Sequence, residues 1–185
     1  MNIYKSEGVV LKRSNFGEAD RLVTIFTKHY GKLTFVAKGV RRVTSKKGGS
    51  LEIFNMISFL AAKGRGMDIL TEAETIETFS GWRKNLEKVA AAYEICEILD
   101  KLTAEASEQK EVYEFLVSSL KKINETEENL LSAQIDSFGG NLLKLLGFWP
   151  KQKAFLPNFN VCLYIEQIIE RGLKSKNFLK RCQSK

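Results

Sequence analysis

Four cations, Arg41, Arg42, Lys46 and Lys47, lie within seven residues of one another in the segment Lys38-Gly39-Val40-Arg41-Arg42-Val43-Thr44-Ser45-Lys46-Lys47-Gly48-Gly49. Arginine presents a planar fork that matches phosphate oxygens, and lysine adds a compact point charge. Nucleic acid offers regularly spaced phosphates, and neutralising them releases counterions, which supplies most non-specific affinity. Gly39, Gly48 and Gly49 let the backbone come close to a ligand, and Thr44 and Ser45 can add neutral hydrogen bonds. Lys12, Arg13, Arg21 and Lys38 fall near expected strand ends and extend the patch. Residues 1–50 hold eleven Lys and Arg against three Asp and Glu, a net of +8 that exceeds the +7 of the whole 185-residue chain. Single-strand binders add aromatic platforms for bases. Phe16 and Tyr30, in expected turns, are placed for stacking, whereas Phe26, Phe35 and Phe59 occupy positions that read as core.

Other chemistry is sparse. The one histidine, His29, sits in an expected hairpin loop, where a surface role suits it better than a Ser–His or Cys–His pairing. Glu18 and Asp20 flank a turn, where one is expected to cap it and the other to pair with Arg21 or a nearby lysine. Lys63-Gly64-Arg65-Gly66 has neither Walker nor GxGxxG spacing and reads as a hairpin turn. Cys96, Cys162 and Cys182 are odd in number and contain no C-x-x-C, so neither a disulfide framework nor a four-ligand zinc site is expected. No nucleophile, base and oxyanion site assemble. A binding protein without cofactor is therefore expected rather than an enzyme. The chain lacks a long apolar run and its first residues lack a signal-peptide core, so no membrane partner and a cytoplasmic location are expected.

The basic segment needs a scaffold, and the pattern supplies short strands. Val9 and Leu11 alternate; so do Leu22, Thr24 and Phe26, and Leu33, Phe35 and Ala37. Ile53, Ile57 and Phe59 mark a fourth strand, and Met67 to Thr71 opens a fifth. Breaks fall at Asn15-Phe16-Gly17, Tyr30-Gly31 and residues 63–66. Five strands in the first 80 residues suit an OB-fold; an SH3-like barrel or a small sandwich fits the period nearly as well.

Beyond Ser80 the period changes to that of amphipathic helices. Trp82, Leu86, Val89, Tyr93, Cys96 and Leu99 form one series. Val112, Leu116, Leu120 and Ile123 form a second, and Leu131, Ile135, Phe138, Leu142, Leu145 and Leu146 a third. Breaks are expected near Ala106-Ser107 and Asn124-Glu125, and at Gly147 with Pro150 beyond it. Leu163 to Leu173 reads as a short helix with Ile165, Ile168 and Ile169 on its apolar side, and Lys174 to Lys185 as a basic, solvated end. The expected class is α+β: a barrel domain at 1–80 and a helical domain at 81–185. The charge is segregated too, with residues 81–150 at −4 and residues 151–185 at +6. This points to separate surfaces for separate partners.

The ordered pieces EGVVLKRSNFGEADRLVTIFT, VAKGVRR, SLEIF, ILTEAE and LLGFWP resemble the bacterial recombination and repair family RecO. The resemblance covers residues 1–80, with a second anchor at 138–150. It implies an N-terminal OB-fold, a C-terminal helical domain, and binding of single- and double-stranded DNA with annealing of complementary strands in the bacterial nucleoid. It also implies work beside RecR, contact with the acidic, phenylalanine-ended tail of the single-strand-binding protein SSB, and help in loading RecA. By position, Arg41, Arg42, Lys46 and Lys47 would belong to the DNA-binding surface. Many members carry a four-cysteine zinc motif after the LLGF-x-P element; here only Cys162 and Cys182 follow it, so zinc is not carried over and the last helices are expected to be reduced. On the residues alone, an RNA-binding OB module associated with translation and an interaction scaffold remain competing readings.

Overall fold

The computed structural model describes residues 2–45, 47–150 and 159–175. The strands are β1 (Ile3–Phe16), β2 (Asp20–Thr27), β3 (Gly31–Ala37), β4 (Met56–Ala62) and β5 (Asp68–Glu77). Val10, Val23, Ile25, Phe35, Ala37, Ile57, Phe59, Ala61 and Leu70 pack inside as one core. Their period of two sends one face of each strand inward.

The strands close into a barrel in the order β1-β2-β3-β5-β4. β1 is long enough to serve both neighbours. Ile3 to Val9 pair antiparallel with β4, and Gly8 to Phe16 pair antiparallel with β2. Gly8 lies in both ladders, where a Cβ would stand 2.4 Å from Ile25 Cγ2 and 2.9 Å from the Phe26 carbonyl oxygen. Only glycine fits at this bend, as expected where two backbones approach closely. A parallel seam, Phe35↔Asp68 and Val36↔Ile69, completes the closure. A single closed barrel with this strand order is an OB-fold, which rules out the sandwich and SH3-like alternatives.

Ile53, expected in the fourth strand, lies instead in the connection between β3 and β4. The described residues of that connection, 38–45 and 47–55, are turn-rich; Val40 and Leu51 join the barrel core, and Phe54 is buried as well. Phe54 takes φ 74°, and its N–H donates to the Val10 carbonyl at 2.8 Å while the Val10 N–H donates to the Asn55 carbonyl at 3.0 Å. This local exchange delays β4 to Met56. β5 starts at Asp68, not Met67, and runs to Glu77.

The chain forms two compact units. One is Met1–Phe79 with Ala104–Glu114, the other Ser80–Thr103 with Phe115–Lys185. In the first, the Ala106 N–H donates to the Lys32 carbonyl at 3.0 Å, and Gly31 lies against Ser107.

The helices are α1 (Leu86–Leu102), α2 (Lys110–Lys122), α3 (Leu131–Leu145) and α4 (Val161–Ile168). Asn85 caps α1 by accepting the Lys88 N–H at 3.0 Å, and Asn160 caps α4 by accepting the Leu163 N–H at 2.9 Å. The Trp82 indole N–H donates to the Leu120 carbonyl at 3.0 Å. Val112, Leu116, Leu120 and Ile123 are buried as expected. Of the α1 series, Trp82, Cys96 and Leu99 are buried as expected, but Leu86 and Tyr93 are exposed, and Ala90, Ala91, Ala92, Ile95 and Ile98 are buried besides. Three consecutive alanines let neighbours approach on a wide face, so burial in α1 extends beyond the bulky series. Leu145 is exposed and Leu143 buried in its place.

Gly147, at φ 75°, ends α3. Its N–H reaches the Lys144 carbonyl and the Phe148 N–H reaches Leu143, the pair of bonds of a Schellman cap. The last helix begins two residues earlier than expected and stops at Ile168. Lys174 and Ser175, expected to open a solvated end, are tethered: Glu97 accepts their N–H groups at 3.1 and 2.8 Å. Residues 176–185 lie outside the described residues.

Two glycines with similar φ separate backbone strain from crowding. Gly17 (φ 59°) has nothing within 4 Å of a built Cβ, whereas at Gly31 (φ 63°) a Cβ would stand 1.8 Å from the Ser107 carbonyl oxygen. Gly17→Ala should cost about 1 kcal/mol from the left-handed backbone alone. Gly31→Ala should cost clearly more and displace the 104–114 segment. Urea unfolding of the two variants checks this, and equal losses would contradict it.

Candidate nucleic-acid interface

The basic loop is stitched to the β1–β2 turn. Asp20, at the start of β2, accepts the Gly39 N–H at 2.7 Å. The Arg41 N–H donates to the Ala19 carbonyl at 2.9 Å, and its guanidinium donates to the carbonyls of Glu18 at 2.8 Å and Gly17 at 3.3 Å. Asp20 thus organises the facing loop through the Gly39 N–H, and its charge also acts on Lys47. Gly39 takes φ 63°, which turns the chain out of β3.

The remaining cations divide by what holds them. Arg13 shares a face with core residue Val23 by register, and its guanidinium is ion-paired with Glu52 in the β3–β4 connection. Lys47 donates to the Leu70 carbonyl at 3.1 Å. Burial pushes its pKa below the ordinary lysine value, and Asp20 and Glu72 only partly oppose this. Arg21 opens β2 opposite Asn15 and Ala37 and is half-buried. Lys12 pairs with Thr24 in register and is exposed. Lys38 and Arg42 are exposed on the loop, and among the described residues no ion-pair partner is found for either. Lys46 lies outside the described residues. The structure therefore brings Lys38, Arg41 and Arg42 together at the end of the barrel where Arg13 and Arg21 also lie.

Phe16 and Tyr30 are both exposed, at 46% and 42%, but they do not share a surface. Phe16 pairs with Asp20 at the basic end. Tyr30 follows Thr27 at the far end of β2, roughly 23 Å away for seven strand steps. There its ring meets Tyr4 edge-on at 5.1 Å. Tyr4 donates to Asp68 at 2.6 Å, and Lys63 pairs with Asp68 at 3.2 Å and lies 5.0 Å from the Tyr4 ring centre. This cluster closes the β4–β5 hairpin. Phe16 alone among the two belongs with the basic loop. Phe26, Phe35 and Phe59 are buried, as expected. His29 is exposed in the β2–β3 turn.

One feature of this end goes beyond the charge pattern. Val43, at the tip of the loop, is 104% exposed. Its type gave no signal, because an isolated valine in a basic run reads as loop filler.

Among the described residues no three His, Cys, Asp or Glu side chains could hold a metal ion. The Cys162 thiol donates to Asp136 at 3.4 Å and to Glu94 at 3.9 Å. No helix among the described residues is long and apolar enough to cross a membrane.

The fold and this surface define a class: OB-fold proteins with an appended helical domain and a cationic β3–β4 connection. The family model described as Recombination protein O N terminal matches residues 1–79, and that described as Recombination protein O C terminal matches residues 83–154. Relatives named DNA repair protein RecO include one from Rubrobacter xylanophilus, 34% identical over 82% of this chain and 60% of its own length. Another, from Roseiflexus sp., is 33% identical over 80% of this chain and 52% of its own. A third, from Thermoanaerobacter sp., is 35% identical over 88% of this chain and 63% of its own. The chain belongs to the RecO family, and it spans between about half and two thirds of the length of these curated relatives.

Asp20→Ala should leave the Gly39 N–H unpaired and free the loop. The expected loss is about 1–2 kcal/mol of stability, with faster hydrogen exchange at the Gly39 and Arg41 amides. Unchanged exchange at both would contradict the stitched loop.

Asp68 generates a pH prediction. Burial raises its pKa, but bonds from the Tyr4 hydroxyl, the Gly64 N–H and Lys63 outweigh this, so the folded value lies below the ordinary carboxylate. Its stabilising contribution is therefore present above the unfolded value and lost as pH falls through the folded one. Between about pH 5 and pH 2, Asp68→Asn should lose less stability than wild type. Parallel acid denaturation curves would contradict it.

Proposed function

We propose that this chain is a DNA-binding mediator of recombinational repair that binds single- and double-stranded DNA, anneals complementary strands and assists RecA loading with RecR on SSB-coated DNA. The observation that carries the reading is the stitched basic loop on an OB barrel in a member of the RecO family. Lys38, Arg41 and Arg42 supply closely spaced positive charge on a loop whose order does not depend on a ligand. Such a surface screens the repulsion between two phosphate backbones, so complementary strands can approach and pair. Phe16 offers a stacking face beside it. The helical unit suits protein partners. Exposed Leu145 and Phe148, with Lys144 held 4.9 Å from the Trp149 ring centre, offer the apolar surface and the cation that an acidic, phenylalanine-ended SSB tail requires.

The test is a double charge reversal, Lys38→Glu with Arg42→Glu, which leaves the Arg41 and Asp20 bonds intact. Wild type should bind short DNA with a steep salt dependence. The variant should lose at least about tenfold in affinity at low salt and flatten the logarithmic salt slope by about two on duplex. Strand annealing, with and without SSB, should fall in parallel. Unchanged binding would reject this surface, and a strong preference for matched RNA over DNA would favour an RNA-binding module instead.

A further inference from the structure

The Ser45 N–H donates to the Arg42 carbonyl at 2.9 Å and the Arg42 N–H to the Gly39 carbonyl at 3.1 Å. The first bond closes a turn with Val43 and Thr44 at its centre, and the second closes the preceding turn around Val40 and Arg41. Gly, Pro, Asn, Asp and Ser dominate such positions for conformational reasons, and a β-branched valine has none of those advantages. Three residues earlier, Val40 is buried and anchors the loop to the barrel. Val43 contributes no burial: at 104% it is as exposed as in an unfolded peptide. The fold thus gains nothing from its isopropyl group, yet a turn pinned by Asp20 and Arg41 displays it among exposed cations.

We propose that Val43 is an apolar wedge that contacts the bases of DNA held by Lys38 and Arg42. The inference rests on the DNA-binding reading above and deepens it. Hydrated phosphate oxygens are a poor surface for an isopropyl group. The nearest apolar surface on a bound strand is the faces and edges of its bases. Apolar side chains that enter a base step cost a few kcal/mol in unstacking, and this cost is least where a strand is already unpaired. A side chain as small as valine suits single-stranded or frayed DNA rather than a kinked duplex. A strand held by its phosphates with one step opened would present its base edges to a complement.

A single-stranded oligonucleotide carrying one fluorescent adenine analogue, quenched when stacked, tests this. Wild type should raise its emission on binding. Val43→Ser should bind within about threefold of wild-type affinity with the same salt slope, because its phosphate contacts remain. Its emission increase should fall at least about twofold, and Val43→Leu should keep it. Equal emission with Val43→Ser and wild type overturns the wedge, as does bound wild type with no emission change, or loss of the signal in Val43→Leu. Failure of wild type to bind the strand overturns the wedge and the DNA-binding reading together, so the two failures are distinguishable. Since Val43 is not buried, the variants should unfold at the wild-type urea midpoint.

Discussion

The cationic end of this protein depends on one hydrogen bond: the Asp20 carboxylate accepting the Gly39 N–H at 2.7 Å. Without it, the β3–β4 connection would be a long turn-rich segment full of like charges. Fixing each residue of such a segment costs about 1–2 kcal/mol of backbone entropy, and mutual repulsion adds to that. Asp20 contributes a negative charge at the root of the loop as well as an acceptor. Arg41 then bonds to the facing turn with its backbone and its guanidinium. Val40, Leu51 and Phe54 provide apolar burial on the inner side. Polar stitching outside and apolar burial inside restrain the same stretch of chain.

This division explains why the cations are not equivalent. Arg13, bound to Glu52, and Lys47, bound to the Leu70 carbonyl, are structural members of the barrel end. Lys47 also bears a desolvation cost that its acidic neighbours only partly offset. Lys38 and Arg42 lie on the outer side, exposed. Sequence spacing weights all these residues alike, but their chemistry differs. A cation paired with a carboxylate, as Arg13 is, or desolvated, as Lys47 is, has less charge to offer a phosphate, whereas an exposed one exchanges only water and counterions. On the proposed DNA-binding reading, the density of positive charge overstates the number of groups available to phosphates.

The barrel was legible in the sequence because its core is periodic. Val23, Ile25, Phe35, Ala37, Ile57 and Phe59 alternate as strands require and form the core, although Thr24, Phe26, Thr27 and Val36 between and beside them are buried too. The OB topology was less so: the parallel β3–β5 seam rests on Phe35 and Val36 meeting Asp68 and Ile69, a long-range pairing with no local signature. Ile53 misled because an apolar residue before a strand looks like part of it; the positive φ of Phe54 marks the break, and no residue type announces that angle in a phenylalanine. In α1, Cys96 and Leu99 of the expected stripe are buried, but Leu86 and Tyr93 are not, and three small alanines that carry no bulk signal are. At the candidate site the run of cations was visible, while the bonds that hold Arg41 and Lys47 join residues some 23 apart. The separation of Phe16 from Tyr30 likewise depends on a strand's length, not on either residue's type.

A loop ordered before its ligand arrives changes what binding must provide. Flexible basic segments pay for their ordering when they meet nucleic acid, which lowers affinity per contact. On the proposed DNA-binding reading, Asp20 and Arg41 make that ordering part of folding, so more of the counterion-release energy would be left for association. The same restraint sets a limit: a fixed loop cannot follow every backbone geometry, and so favours strands flexible enough to conform to it. Single strands and frayed ends meet that condition better than a stiff duplex. On that reading, rigidity in the protein and compliance in the nucleic acid would be complementary, and the burden of adaptation would fall on the strand.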